Sequence, residues 1–191
     1  MSAGSLVLAS ASPRRAALLA QIGIIPAAVV KPIVDEAPMP GEKPRALAVR
    51  LARTKLAATM TDGCFVLAAD TVVAAGRRVL PKTEEREAAR EALTLLSGRR
   101  HRVITSVVLA APDGREAGRV CETVVAFARL PGREIEAYLD SGEWRGKAGS
   151  YAIQGRAALF VRFLAGSYSN VVGLPLYETA QLLRGFGWKL P

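Results

Sequence analysis

The spacing of hydrophobic and polar residues changes several times along the chain, and each change marks an element. Residues 5–9, ending Leu6-Val7-Leu8-Ala9, form a short continuous apolar run of the kind that buries as a strand. From about Pro13 to Gln21 the apolar residues recur at helical spacing, and Gly23 ends the pattern. Residues 26–40 hold four prolines around Asp35-Glu36 and read as a strand fragment followed by loop. A second helix is expected from about Pro44 to Met60, with proline at its first position, where a missing N–H does no harm.

A longer apolar run at 64–75 predicts a central strand, turned back by Gly76-Arg77 into a hairpin with Val79-Leu80. Thr83 is placed to cap the next helix, with Glu84, Glu85 and Glu87 in a first turn that opposes the helix dipole, and Gly98 ends it. Strands at about 102–110 and 118–129 flank the Asp113-Gly114 turn. A short helix at about 132–140 precedes the glycine-rich residues 141–149. A strand near 157–163 and a final helix from Leu174 to about Arg184 complete the pattern. Hairpins mixed with helical crossovers predict an α/β fold of α+β-like character. It would be a mixed, partly antiparallel sheet with packed helices, two lobes around a central cleft, in one domain covering 1–191.

Composition narrows the class. Half of the residues are hydrophobic and 23% are charged, which is globular and excludes disorder. No stretch approaches the roughly 18 apolar residues of a membrane span. The run at 6–11 is too short for a signal peptide and has no preceding Lys or Arg, so a cytoplasmic protein is expected. Cys64 and Cys121 lack metal-ligand spacing and read as reduced core thiols. The single histidine, His101, cannot complete a zinc site or a Ser/His/Asp triad with these partners, and reads as partly exposed just after a helix. The net charge of +9 points to an anionic partner. Because the basic residues are scattered and few aromatics interleave with them, a small anion is expected, and nucleic acid is not.

Chemistry concentrates in a few places. In Ser10-Ala11-Ser12-Pro13-Arg14-Arg15 a strand ends, Ser12 takes the helix N-cap and Pro13 the first helical position. Free N–H groups, the helix dipole and two guanidinium groups then converge into an anion site; the alternative is an ordinary capped helix with two exposed arginines. Ser10, Ser12, Arg14 and Arg15 are thus candidate phosphate contacts, although no GxxxxGK[ST] or GxGxxG occurs. Asp70 interrupts the apolar run Val66–Val73. A carboxylate buried there must be paired, hydrogen-bonded or metal-bound, unless it caps a loop at an exposed strand end. Such a group can hold Mg²⁺ and take a proton from attacking water. Lys55 lies in the helical stripe Ala48, Leu51, Ala52, Leu56 and Thr59, where a lysine either snorkels or reaches an anion. Lys82 would touch the same cleft if the hairpin folds over it. Gln154 offers the donor and acceptor that reading a base edge requires, or else stabilises a turn.

LASASPRR at 8–15, DE at 35–36, LARTK at 51–55, AADTVV at 68–73, LSGRRHRVIT at 96–105, GKAGSYAIQGRAALFV at 146–161 and GSYSNVVGLPLYET at 166–179 follow one another in order. Together they resemble the Maf family of nucleoside triphosphate pyrophosphatases over nearly the whole chain. The resemblance implies an ITPase/Maf-like fold and hydrolysis between the α- and β-phosphates, with a divalent metal (Mg²⁺ or Mn²⁺), to the monophosphate and pyrophosphate. It places the family's arginine on Arg14, its general base on Asp70, its lysines on Lys55 and Lys82, and a metal or water ligand on Glu36. Asp70 would share the metal.

Arg14, Thr71 and Gln154 look like the dTTP/UTP subgroup. The 7-methyl-GTP subgroup, the alternative within the enzyme class, typically has Gln after the aspartate and Glu in place of Gln154. Where the family usually has Gly-Lys-Pro, this chain has Pro81-Lys82-Thr83. A third reading is a non-catalytic nucleotide- or nucleic-acid-binding regulator of cell division, against which the intact Glu36, Lys55, Asp70 and Lys82 argue. A homodimer is compatible with the sequence.

Overall fold

The computed structural model describes residues 5–61 and 63–190. Seven strands among them form one mixed sheet: β1 (Leu6–Ala9), β2 (Ala28–Val30), β3 (Phe65–Ala75), β4 (Arg78–Leu80), β5 (Arg100–Ala110), β6 (Glu116–Phe127) and β7 (Val161–Ala165). The order is β2-β1-β3-β5-β6-β7, with β4 beside β3. The fully buried β1 runs parallel to both β2 and β3, while β3, β5, β6 and β7 pair antiparallel in turn. The sheet is therefore mixed and partly antiparallel, as the alternation of hairpins and crossovers predicts.

Helices α1 (Pro13–Gln21), α2 (Pro44–Ala57), α3 (Arg86–Leu96), α4 (Gly132–Asp140), α5 (Tyr168–Val172) and α6 (Leu176–Gly185) cover the sheet unequally. The period of two along β3 sends Leu67, Ala69 and Val73 into a large core with Leu19, Leu93, Leu139 and Leu182. Val66, Ala68 and Val72 point the other way, where α2 packs Leu47, Leu51, Ala52 and Leu56 onto them. One face of β3 is thus closed by α2, and the opposite face by helices drawn from the rest of the chain.

Several boundaries differ from expectation for local reasons. α3 starts at Arg86, not after Thr83. The Thr83 hydroxyl accepts from the Glu85 N–H in a turn of its own, which leaves Glu87 as the acidic residue of the first helical turn. Residues 156–160 close into a short 3₁₀ helix, so β7 begins only at Val161. The last helix, α6, begins after Pro175, and a separate short helix not expected from the sequence, α5, precedes it, capped by the Ser167 hydroxyl. α2 ends at Ala57, short of Met60.

His101 is corrected more substantially. β5 already begins at Arg100, so strand alternation puts His101 on the same face as Val103 and Val107, and it is 2% exposed. Both cysteines are free thiols, Cys121 buried and Cys64 half-buried. No helix among the described residues is long and apolar enough to cross a membrane.

Candidate active site

The loop after β1 is anchored by its first residue, whose N–H donates to the Val30 carbonyl of β2 at 2.9 Å. Ser12 then donates its N–H to the Ser10 hydroxyl at 3.1 Å and occupies the N-cap of α1 without a side-chain cap bond. Pro13 starts the helix, and the two arginines that follow do different things. Arg14 is half-buried and donates from Nε to the Val172 carbonyl at 3.2 Å. Arg15 is buried and donates to the Gly173 carbonyl at 2.7 Å, the Ser10 hydroxyl at 3.0 Å and the Thr71 hydroxyl at 3.1 Å. It ties the loop to β3 and to the turn between α5 and α6, and so is not one of two exposed arginines. Burial lowers the pKa of both guanidinium groups, and both stay charged.

Across from this loop, α2 presents Lys55 to β3. Its Nζ lies 2.5 Å from the Asp70 carboxylate and 2.5 Å from that of Glu36. The other oxygen of Glu36 accepts from Lys82 at 2.7 Å. The result is a continuous chain of alternating charge, Asp70–Lys55–Glu36–Lys82. Asp70 and Lys55 are buried, while the side chains of Glu36 and Lys82 keep 40% and 45% of their surface in solvent. Burial raises the Glu36 carboxyl, but hydrogen bonds from Lys55 and Lys82 outweigh it and hold the pKa at about 2. Lys55 therefore does not snorkel, and Asp70 is paired where an unpaired carboxylate would be costly. The Pro-Lys-Thr loop still delivers Lys82 to the cluster.

Between these walls lies a cleft of about 330 Å³, within the range of small-molecule sites. All the sequence-predicted site residues line it except Asp70, which stands behind Lys55. Thr71 faces away from Asp70, with its hydroxyl against that of Thr105 at 2.9 Å. Gln154 is exposed at the rim.

Lys147, which the sequence did not single out, also lines the cleft, half-buried. Desolvation, and then the charge of Arg14, lower its pKa. A basic residue between Gly146 and Ala148, close before Tyr151 and Gln154, was the available signal.

Hard divalent cations with strong demands on geometry are commonly held by one or two carboxylates plus substrate phosphate oxygens. Glu36 and Asp70, converging on one ammonium, fit that donor set. A cage of three or more His, Cys, Asp or Glu does not occur among the described residues.

Residues 5–186 match the family described as Maf-like protein. This chain belongs to that family. A dTTP/UTP pyrophosphatase of Granulibacter bethesdensis is 58% identical, covering 96% of this chain and 94% of its own length. One from Paramagnetospirillum magneticum is 60% identical, with coverage of 96% and 97%. The fold of this Maf-like chain is shared, at 18% identity and a TM-score of 0.50, with a HAM1 protein from Coxiella burnetii, over 95% of this chain and 98% of that one.

Proposed function

We propose that this Maf-like protein is a nucleoside triphosphate pyrophosphatase that converts dTTP and UTP to the monophosphate and pyrophosphate. The observation that carries the reading is the placement of the Asp70–Lys55–Glu36–Lys82 chain opposite the Ser10–Arg15 loop across one cleft.

In this reading Arg14, Lys82 and Lys147 receive the β- and γ-phosphates, with the first-turn N–H groups of α1. Asp70 is the base. It takes a proton from water as the water oxygen bonds to the α-phosphorus and the α–β bridging oxygen leaves with pyrophosphate. Lys55 pairs with Asp70 and with Glu36 and so holds the two carboxylates around one ammonium. The same cations stabilise charge on the departing pyrophosphate. A divalent cation, Mg²⁺ or Mn²⁺, held by Glu36 and Asp70 would neutralise phosphate charge and lower the pKa of the attacking water. Gln154 supplies the donor and acceptor for a pyrimidine edge, with Thr71 on the lining of the same cleft.

The test is pyrophosphate release across a panel of triphosphates. Release from dTTP and UTP is expected, lost with EDTA and cut by about 10²–10⁴ in Asp70→Asn. Phosphate as the product, or an undiminished variant, would refute the assignment.

A further inference from the structure

His101 takes no part in the ion cluster, yet it is bonded to the cleft wall. Its Nε2 lies 2.8 Å from the hydroxyl of Tyr151, a residue that lines the cleft. Its ring stands edge-on to Phe127 and Tyr151, with centroids 5.0 and 5.4 Å away. Nδ1 is buried with no partner among the described residues. A buried orphan N–H is rarer than a buried orphan lone pair, so the proton belongs on Nε2 and His101 donates to the Tyr151 oxygen. Burial keeps the imidazole neutral by lowering its pKa to about 4.

The segment leading to Gln154 is fixed from three directions. Gly149 has φ +69°, and a Cβ there would lie 2.7 Å from a methyl of Val73 on β3. Ser150 adopts φ +58°, a strained value for a residue with a side chain. Tyr151 is then anchored to β5 through His101, and the Ala152 N–H donates to the Tyr138 hydroxyl of α4 at 3.1 Å. Gln154 follows two residues later. Strain of this kind persists only where the surroundings over-determine the backbone, which is also what a recognition wall needs.

We propose that His101 is a positioning residue for base selection: through Tyr151 it holds the wall that presents Gln154 to the nucleotide. The inference rests on the reading of Gln154 as the base contact.

The experiment compares wild type, Tyr151→Phe, His101→Leu, the double variant and Gln154→Ala, measuring Tm together with KM and kcat for dTTP and dGTP. Each single change at the pair leaves a buried polar group unpaired and lowers Tm, whereas the double change removes both groups and restores much of it. If His101 positions the wall, KM for dTTP stays raised about tenfold in the double variant, with kcat nearly unchanged and the preference over dGTP reduced. Recovery of KM and selectivity along with Tm would show a packing role only and overturn the proposal, as would unchanged KM in Tyr151→Phe. A Gln154→Ala variant indistinguishable from wild type would remove the base-reading premise. A wild-type protein that releases no pyrophosphate from dTTP would remove the pyrophosphatase reading itself.

Discussion

Asp70 and Thr71 are neighbours on β3, but they face opposite sides of the sheet and enter opposite kinds of environment. Asp70 meets Lys55, through it Glu36, and through Glu36 Lys82, a chain in which each charge is balanced by the next. Thr71 meets Arg15, whose contacts are a carbonyl and two hydroxyls. Each guanidinium nitrogen thus donates once, while no carboxylate among the described residues is in contact with its charge. One wall holds charge in compensated form, which is where the proposed function places its proton and metal chemistry. The other keeps net positive potential beside the place where phosphates would lie. A single strand delivers both because alternation separates adjacent side chains by a whole sheet.

The compensated wall is the more vulnerable to losing a member. Lys55→Met leaves Asp70 buried beside Glu36 with no cation between them, and breaking a buried pair in this way costs about 3–5 kcal/mol. The expected result is a large fall in Tm and in urea midpoint, with pyrophosphate release lost. A melt within 1–2 °C of wild type, readable by calorimetry, would show that solvent already screens the cluster. If Asp70→Asn/Lys55→Met recovers most of the stability and none of the activity, the two contributions separate cleanly.

Acid separates the walls in a different way. Folded His101 resists protonation until about pH 4, while the unfolded chain takes that proton near its ordinary value of 6.5. The unfolded state thus binds more protons in this window, and stability falls as pH drops from 6.5 to 4, by roughly 3 kcal/mol at most. Glu36 acts lower: its ion pairing is fully present above 4.5 and lost as pH falls toward about 2. Because Glu36 is half in solvent, its contribution is the smaller. Melting curves against pH should therefore descend in two limbs, and His101→Leu should flatten the upper one. An upper limb that survives the substitution would place its origin elsewhere.

How much of this was legible in the sequence follows from how local each signal is. The Ser10–Arg15 loop, the buried Asp70 and the inward Lys55 were readable because strand alternation, helical periodicity and a proline are short-range features. The structural part of Arg15 was not legible: it depends on Gly173, 158 positions away, which only the tertiary fold brings to it. His101 was hidden by the polar run Arg99-Arg100-His101-Arg102, which masks the start of β5. Lys147 lies in a turn-rich segment with no period to place it. The chain Asp70–Lys55–Glu36–Lys82 spans four separate segments, so its members could be suspected singly but not joined without a resemblance to supply the order.

The smallest expected effect tests whether the uncompensated wall is built for geometry as well as charge. Arg15→Lys keeps the positive charge but replaces a planar fork by a single ammonium, which cannot reach the Gly173 carbonyl, Ser10 and Thr71 in the same directions. Losing one or two charge-assisted hydrogen bonds at a buried site costs about 2 kcal/mol. The electrostatic pull on phosphate should persist, so the salt dependence of KM should stay that of wild type. The loop carrying Ser12 and Arg14 should loosen, raising KM by several-fold through geometry alone. A variant whose KM matches wild type at every salt concentration would assign Arg15 a charge role alone, and would make the two walls more alike than their hydrogen bonds suggest.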